Sequence, residues 1–453
     1  MEGEDETYPQ GNVIGALARY ICDARRHRSA PEAREAALKC LYDLLGATLA
    51  GLSDPGAVSV RATALQLFPG DTAPLWFTGQ TASACGAAWA NSAAAAALDL
   101  DDGNRFARGH PGAAVIPAAL AVGGANGRSC EEILTAIVIG YEVGVSIGAA
   151  RTSYGNSGTW TAYAVAATAA ALSDAPPEVV AHALAIAGES APNQLFASAP
   201  TPRHPVPEGS MVKEGIPWSV VTGRAALSLA QAGHTGPRNL LDSPRHYAFT
   251  QPLTLGASPH ICRTYIKPWA CCRHIHAPLA AMLATTAEHE IDPAAITSIV
   301  VEIHDAGLRI SNRVRPENLT DVQYSIPYCL ALAALEGTDA LVPVTAGVLG
   351  LEEVEELASR VALERNASFD DAFPDEIFAR VHISCGDRMY SSEPTAPPGE
   401  PLMPWRDLEA KFARSTRFIL TGSELTEMAS AVAAAREGQL GAVLAMVRRP
   451  VAG

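Results

Sequence analysis

The sequence predicts a mainly helical protein with two domains, a large all-helical domain and a smaller α+β domain. The chain has 453 residues, which is too long for one compact core. Hydrophobic residues make up 48% of it and charged residues 18%, a composition typical of globular proteins. Alanine-rich tracts supply much of the apolar fraction, and alanine is the best helix former. These observations favour helix as the dominant element.

Residues 11–235 alternate helical tracts with short breaks at glycine and proline. Ser129 and Glu132 have the spacing of a capping box, which predicts a helix over 133–149. The Pro176-Pro177 pair predicts another helix start, because proline is tolerated in the first turn. This half of the chain is therefore predicted to be helical.

The pattern changes near residue 290. Residues 299–303 and 380–384 are short and rich in β-branched side chains, which predicts two strands, and a Cys-Gly-Asp turn signal follows the second strand. Helical patterns over 328–335 and 351–363 lie between them. Strands mixed with helices in this way predict an α+β domain over 265–393.

A proline-rich linker, 394–404, precedes two further helical segments at 407–414 and 424–436. We expect these segments to pack on the N-terminal part. The predicted domains are therefore 1–264 with 394–453, and 265–393.

The net charge of −15 argues against a nucleic-acid partner, which requires a basic surface. The nine cysteines show no C-x-x-C pair and no zinc-type spacing, so we expect reduced thiols and no metal. The N-terminus is acidic, unlike a secretory signal peptide, and no apolar stretch is predicted to span a membrane. A cytoplasmic protein without a membrane partner is expected.

Three aspartates end an otherwise apolar, alanine-rich helix, namely Asp99, Asp101 and Asp102. The partial negative charge of a helix C-terminus makes carboxylates unfavourable there, so compensating cations are required. The nearest candidates follow directly in the sequence: Arg105, Arg108 and His110. The alternative is a solvated helix end with local ion pairs, because such charge clusters usually lie at the surface.

A second cluster of cationic and titratable side chains falls where the helical half gives way to the α+β part. It comprises His260, Arg263, Lys267, Arg273, His274 and His276. So much positive charge in an acidic chain is what a polycarboxylate site at a domain junction requires. Two isolated residues, Lys213 and Tyr328, fit a solvated lysine and a core aromatic as well as a site.

Five segments in order along the chain together resemble the MmgE/PrpD family, whose members include 2-methylcitrate dehydratase, cis-aconitate decarboxylase and iminodisuccinate epimerase. The segments are Asp99-Leu100-Asp101-Asp102 with His110-Pro111-Gly112, Lys213 with Gly223, Lys267-Pro268-Trp269 with Cys272 and His276, Tyr324-Ser325-Ile326-Pro327-Tyr328, and residues 404–412. The resemblance spans nearly the whole chain.

The resemblance implies a helical domain with an inserted α+β domain, a homodimer, a site between the domains, and no metal or organic cofactor. It also implies a catalytic set carried over position by position: Asp99, His110, Lys213, His276 and Tyr328. Gly103 falls where some members have Thr or Ser. The sequence departs from the family at 154–160, where several relatives carry a histidine and this chain has none.

Reactions of this family develop charge on a carbon next to a carboxylate. A neutral imidazole, with a pKa of about 6.5, is a suitable base, and cations stabilise the resulting anion. His110 and His276 are expected to be the acid/base pair, in an order that stays open, with Asp99 orienting one imidazole. The remaining roles are a proton relay for Tyr328, substrate-carboxylate binding for Lys213, and further substrate contacts for Lys267, Arg273, Gly103, Asp102 and Arg105.

The predicted function is a cofactor-independent lyase, dehydratase-like or decarboxylase-like, that acts on a small di- or tricarboxylate. An epimerase of a polycarboxylate is the alternative, because it needs only two proton-transfer groups and no leaving group. A non-catalytic carboxylate-binding relative is the second alternative, suggested by the absent histidine and by Gly103.

Overall fold

The computed structural model describes residues 12–153, 155–192, 210–250, 253–400 and 402–451. The N-terminal part is built from helices and one short two-stranded ribbon. Its helices are α1 (Val13–Ala24), α2 (Pro31–Gly51), α3 (Pro55–Leu67), α4 (Ala84–Ala96), α5 (Gly112–Ala125), α6 (Cys130–Ala150), α7 (Gly158–Ala171), α8 (Pro177–Glu189) and α9 (Ile216–Gln231). The ribbon pairs β1 (Ala73–Pro74) with β2 (Thr81–Ala82) in antiparallel fashion.

The C-terminal part combines helices with a sheet, and the chain then ends in helices. The helices are α10 (Arg273–Glu288), α11 (Asp305–Leu308), α12 (Leu319–Gln323), α13 (Ile326–Leu335), α14 (Glu352–Ser359), α15 (Ala367–Ala372), α16 (Trp405–Thr416), α17 (Gly422–Arg436) and α18 (Gly441–Met446). The strands are β3 (Ser298–Ile303), β4 (Val361–Arg365), β5 (Ala379–Cys385) and β6 (Arg388–Ser391). Short 3-10 helices occupy Lys213–Gly215, Leu240–Asp242, His260–Arg263, Pro293–Ala295, Thr338–Leu341 and Ala346–Val348.

The predicted helix starts are confirmed by their caps. The Ser129 hydroxyl accepts the amide of Glu132, whose carboxylate accepts the amide of Ser129, so the capping box opens α6 as expected. Pro177 is the first residue of α8. Thr421 and Glu424 form a second capping box at the start of α17.

Helix α6 is long and apolar enough to cross a membrane by length and composition, although no membrane span was predicted from the sequence. In the structure, 94% of its apolar window is buried inside the protein. A helix that is apolar on all sides is what the centre of a large core requires. Helices α2, α5 and α7 pack against α6.

The sheet has the strand order β4-β3-β5-β6. Strands β3 and β5 confirm the two predicted strands and pair antiparallel, with Ile303 opposite Ala379. The expected helix over 351–363 is wrong at its C-terminal end, because α14 stops at Ser359 and the next residues form β4, parallel to β3. Pairing with β3 overrides local helix propensity there. Helix α10 packs against β5 and α13.

The core consists of two main apolar clusters. The larger one runs from Ile14 to Ile266 and continues through the C-terminal helices to Val447. The smaller one is formed by residues 269–383, together with Ala47, Leu98 and Leu100 from the N-terminal part. The fold is therefore mainly α with a smaller α+β region, and the segment 98–100 reaches from the first into the second.

Candidate active site

The acidic segment after α4 lies at the junction between the two apolar clusters. Leu98 and Leu100 are buried in the smaller cluster, and Asp99 between them has a left-handed backbone with φ 53°. The following loop is closed by the Asn104 amide, which donates to the Gly109 carbonyl at 2.8 Å. This closure returns His110 to the aspartates that precede the loop.

Asp99 lies between a lysine and a histidine. Its Oδ1 is 2.7 Å from Lys267 Nζ and 3.4 Å from His110 Nε2, and the Lys267 side chain is fully buried. Burial raises the pKa of Asp99, but the charges of Lys267, Lys213 and His110 outweigh it and hold the pKa below its ordinary value. Burial alone would lower the pKa of Lys267, and the neighbouring carboxylates raise it instead. Both groups are therefore charged at neutral pH.

His110 is held as a cation. Its Nδ1 is 2.9 Å from the Asp102 carbonyl oxygen, which can only accept, so Nδ1 carries a proton. Burial lowers the pKa of the imidazole, but Asp101, whose Oδ2 is 3.4 Å from Nδ1, outweighs burial and brings the pKa to about 9. The expected neutral imidazole with an ordinary pKa is therefore corrected: the resting His110 is an acid.

Asp102 faces the helical core rather than a cavity. It accepts the Gly112 amide at 3.0 Å and the Tyr141 hydroxyl at 2.5 Å, and burial raises its pKa to about 7. A Cβ at Gly112 would come within 2.5 Å of the carboxylate, so this close approach requires glycine. Asp102 thus fastens the start of α5, and its position does not favour the expected contact with substrate.

The Lys213 segment has an unusual backbone. Lys213 and Glu214 have φ values of 47° and 56°, and Gly215 follows at 72°. Left-handed backbone is costly for residues with long side chains and is often found at functional sites. Lys213 Nζ donates to Gln323 Oε1 at 2.6 Å, and Gln323 Nε2 donates to the Ala97 carbonyl at 3.2 Å. An amide from the C-terminal part therefore positions this ammonium beside the end of α4.

Ser157 connects the Lys213 segment with His110. The Ser157 amide and hydroxyl donate to Glu214 Oε2 at 3.0 and 2.6 Å, and the hydroxyl accepts the His110 amide at 3.0 Å. Ser157 belongs to the stretch 154–160 in which the sequence lacks the histidine of several relatives, and Tyr154 of that stretch lies outside the described residues. The stretch thus contacts the site through a serine.

These groups surround a small cleft. It is lined by Ala96, Asp99, Asp101, His110, Lys213, Glu214, Ile216 and Tyr324. The structure therefore brings together Asp99, His110 and Lys213 from the predicted set.

No site role was predicted from the sequence for Asp101, Glu214, Gln323 or Tyr324. Three of them lie in or beside a predicted motif: Asp101 lies within the acidic run, Glu214 follows Lys213, and Tyr324 opens the segment that ends at Tyr328. Adjacency was the only sequence signal available for them. Gln323 had no signal, because a buried amide in a short helix has no characteristic pattern.

His276 and Tyr328 lie in the core instead of at the cleft. His276 is fully buried in α10, where Nε2 bonds to the Cys271 carbonyl at 3.1 Å, and burial lowers its pKa well below the ordinary value. The Tyr328 hydroxyl donates to the Val348 carbonyl, and its side chain is also fully buried. Neither side chain lines the cleft, and the expectation that they act on substrate stays a prediction.

Three predicted substrate contacts lie away from the cleft. Arg105 donates to the Asp375 carbonyl and pairs with Glu400 at 3.3 Å, so it does not compensate the aspartates as expected. Arg273 donates to the Pro398 carbonyl at 2.6 Å. Gly103 forms an antiparallel bridge with Tyr265. Lys267 does not line the cleft and acts through Asp99.

A further buried ion pair supports the acidic segment from behind. Lys411 of α16 donates to Asp43 Oδ1 at 2.5 Å and to the Leu100 carbonyl at 2.9 Å. Tyr42 and Phe412 stack beside it, with ring centroids 4.4 Å apart. Helix α16 thus fixes the backbone between Asp99 and Asp101.

Asp99, Asp101 and His110 have ligand types suited to a metal, and one ligand atom from each lies within 4.8 Å of the others. These atoms already have cationic partners, because Lys267 holds Asp99 and His110 is itself protonated. A divalent ion would have to displace an ammonium and remove a proton from the imidazole. The residues therefore fit a metal poorly, and the cofactor-free site stays a prediction.

Two family models match the chain in succession. The MmgE/PrpD N-terminal domain matches residues 15–261, and the MmgE/PrpD C-terminal domain matches residues 269–435. No curated protein matches the sequence. Together the two matches cover most of the chain, and the protein belongs to the MmgE/PrpD family, whose members are generally enzymes.

Proposed function

We propose that this protein is a cofactor-independent lyase that moves a proton next to a carboxylate of a small di- or tricarboxylic acid. The observation that carries the proposal is a cationic pair at one cleft, which Lys213 and protonated His110 both line. Family membership supports dehydratase- or lyase-type chemistry.

Lys213 is suited to bind a substrate carboxylate. Its hydrogen bond goes to the neutral amide of Gln323, whereas the two other buried lysines, Lys267 and Lys411, pair directly with aspartates. A substrate carboxylate that approaches Lys213 therefore meets an ammonium held in place by a neutral partner. Charge-assisted hydrogen bonds of this kind are about twice as strong as neutral ones.

His110 is suited to act as the general acid. Its protonated state at neutral pH provides a proton for a leaving hydroxide or for a carbanion after loss of carbon dioxide. Asp99 and Asp101 hold the imidazolium on its two nitrogen sides at 3.4 Å each. The same cationic groups would stabilise negative charge that develops beside the substrate carboxylate.

An epimerase is the second candidate, because both of its steps are proton transfers and the cleft offers carboxylates as well as an imidazolium. The lyase is preferred because a strongly protonated imidazole fits departure of a leaving group. A carboxylate-binding protein without catalysis is the third candidate, and it requires only Lys213.

The test is NMR of the purified protein with citrate, methylcitrate, aconitate and iminodisuccinate in deuterated water. A lyase forms an alkene or carbon dioxide, whereas an epimerase exchanges one C–H and inverts the centre. We expect His110→Gln and Lys213→Met to lower turnover by about 100-fold or more. The matched controls are His246→Gln, at an exposed histidine, and Lys39→Met, at a partly exposed lysine.

Full turnover in both site variants would contradict the proposal. Thermal stabilisation by these ligands, without exchange or elimination over pH 5–9, would favour the binding protein instead.

A further inference from the structure

Because neither His276 nor Tyr328 lines the cleft, the proposed lyase needs a second proton-transfer group there. Among the described residues, three carboxylates line the cleft, those of Asp99, Asp101 and Glu214. Asp99 is engaged by the Lys267 ammonium, and Asp101 faces the His110 imidazolium. A carboxylate fixed in an ion pair with a cation is a weak base, because the cation favours its charged form.

Glu214 differs from these two in its partners and in its backbone. The hydrogen bonds that it receives from Ser157 come from a hydroxyl and an amide, which are neutral donors, and both reach Oε2. Its left-handed backbone lies between Lys213 and Gly215, which are left-handed as well. This turn places Glu214 directly after the lysine that we propose binds the substrate carboxylate.

Ser157 also fixes the position of Glu214 relative to His110. Its hydroxyl is 2.6 Å from Glu214 Oε2 and 3.0 Å from the His110 amide nitrogen, and Ser157 is fully buried. One buried serine therefore fastens a carboxylate to the backbone of the proposed acid. Fixed separations between an acid and a base are what proton-transfer catalysis requires.

We infer that Glu214 is the general base of the site: its carboxylate removes the proton from the carbon next to the substrate carboxylate that Lys213 binds. This inference rests on the proposed function. In a dehydration, the C–H bond breaks, its proton goes to Glu214, and its electron pair becomes the new C–C π bond. The C–O bond breaks as His110 protonates the departing hydroxide to water, and the proton on Glu214 returns to His110 through solvent.

The experiment follows solvent deuterium incorporation and alkene formation separately, on whichever polycarboxylate the wild-type protein converts. We expect Glu214→Gln to lower both rates by about 100-fold or more while KM changes by less than about threefold. His110→Gln is expected to lower alkene formation and to retain incorporation of deuterium. Glu290→Gln is the matched control, because Glu290 is exposed and also has a left-handed backbone with φ 49°.

Retained deuterium incorporation in Glu214→Gln, with wild-type elimination, would overturn the assignment of Glu214 and leave the lyase proposal standing. Absence of both reactions in the wild-type protein would overturn both proposals. A rise in the KM of Glu214→Gln without a change in kcat would also overturn the assignment of Glu214, because this result would make Glu214 a binding residue.

A second variant covers the case in which Glu214→Gln does not fold. Ser157→Ala keeps the carboxylate and removes the hydroxyl that fixes it, and we expect deuterium incorporation to fall by about tenfold with the melting temperature monitored in parallel. Unchanged incorporation in a folded Ser157→Ala protein would count against the base role.

Discussion

Replacing Asp101 by asparagine should convert His110 from a cation into a neutral imidazole at neutral pH. Asp101 raises the pKa of His110 both by its charge and by a hydrogen bond, against burial and the charge of Lys267. The resulting pKa of about 9 leaves roughly 99% of His110 protonated at pH 7. Without Asp101, burial and Lys267 dominate, and we expect a pKa of about 6.5 or below.

The same change alters the pH dependence of stability in a defined direction. A histidine whose pKa is higher in the folded than in the unfolded chain stabilises the fold fully below about pH 6.5, and this stabilisation is lost as the pH rises through about 9. From pH 7.5 to 9.5 the loss is roughly 2 kcal/mol for the wild-type protein. The Asp101→Asn protein should lack this loss. Asp102, with a pKa of about 7, changes charge mostly below this window.

The assay is histidine-labelled NMR from pH 5.5 to 10, with the His110 signal identified by its absence in His110→Gln. Urea unfolding at pH 7.5 and 9.5 gives the change in the free energy of unfolding for each protein. Thiols titrate in both proteins, so their contribution cancels when the two changes are compared. Asp71→Asn, at an exposed aspartate, is the control. A wild-type His110 that titrates near 6.5, or the same titration in Asp101→Asn, would refute the reasoning.

Three further changes probe the buried contacts. Lys267→Met should lower the free energy of unfolding in urea by about 3–5 kcal/mol, because the buried Asp99 loses its direct ion pair. Adding Asp99→Asn should restore most of the loss, and additive losses would contradict this. Tyr328→Phe should lower the free energy of unfolding by about 1 kcal/mol without changing turnover, because the Tyr328 hydroxyl donates to a core carbonyl. A large loss of turnover would instead show a role in the site. Gly103→Ala should lower the melting temperature and reduce the free energy of unfolding by about 1–3 kcal/mol, because the alanine Cβ would lie 2.3 Å from the Tyr265 hydroxyl. An unchanged melting temperature would contradict this prediction.

The elements that the sequence predicted well are those with local signals. The capping box at Ser129 and the β-branched segments of β3 and β5 depend on residues within a few positions, and the structure has all three. Strand β4 was missed because its partner is β3, some sixty residues earlier in the chain, and its own residues form helix equally well. Pairing at long range leaves no local pattern.

The site was predicted only in part, because some of its residues have a local signal in the sequence and others do not. The acidic run, His110 and Lys213 were visible as unusual residues in apolar surroundings, and they meet at the cleft. The ring of Tyr328 was visible too, but α13 is buried on nearly all sides, so periodicity does not tell which face is at a site. Gln323 contacts Lys213 across 110 positions of sequence and had no signal at all.

The three aspartates of the acidic run have different roles although they are the same residue type. Leu98 and Leu100 are buried in the smaller apolar cluster, and Lys411 holds the Leu100 carbonyl, so the direction of each following side chain is fixed by its neighbours. Asp99 then meets an ammonium and stays charged, while burial raises the pKa of Asp102 to about 7 despite the hydrogen bond from a tyrosine hydroxyl. Asp101, between them, sets the charge of His110. Chemically identical carboxylates thus acquire different partners and tasks, because each buried carboxylate depends on groups contributed from distant parts of the chain.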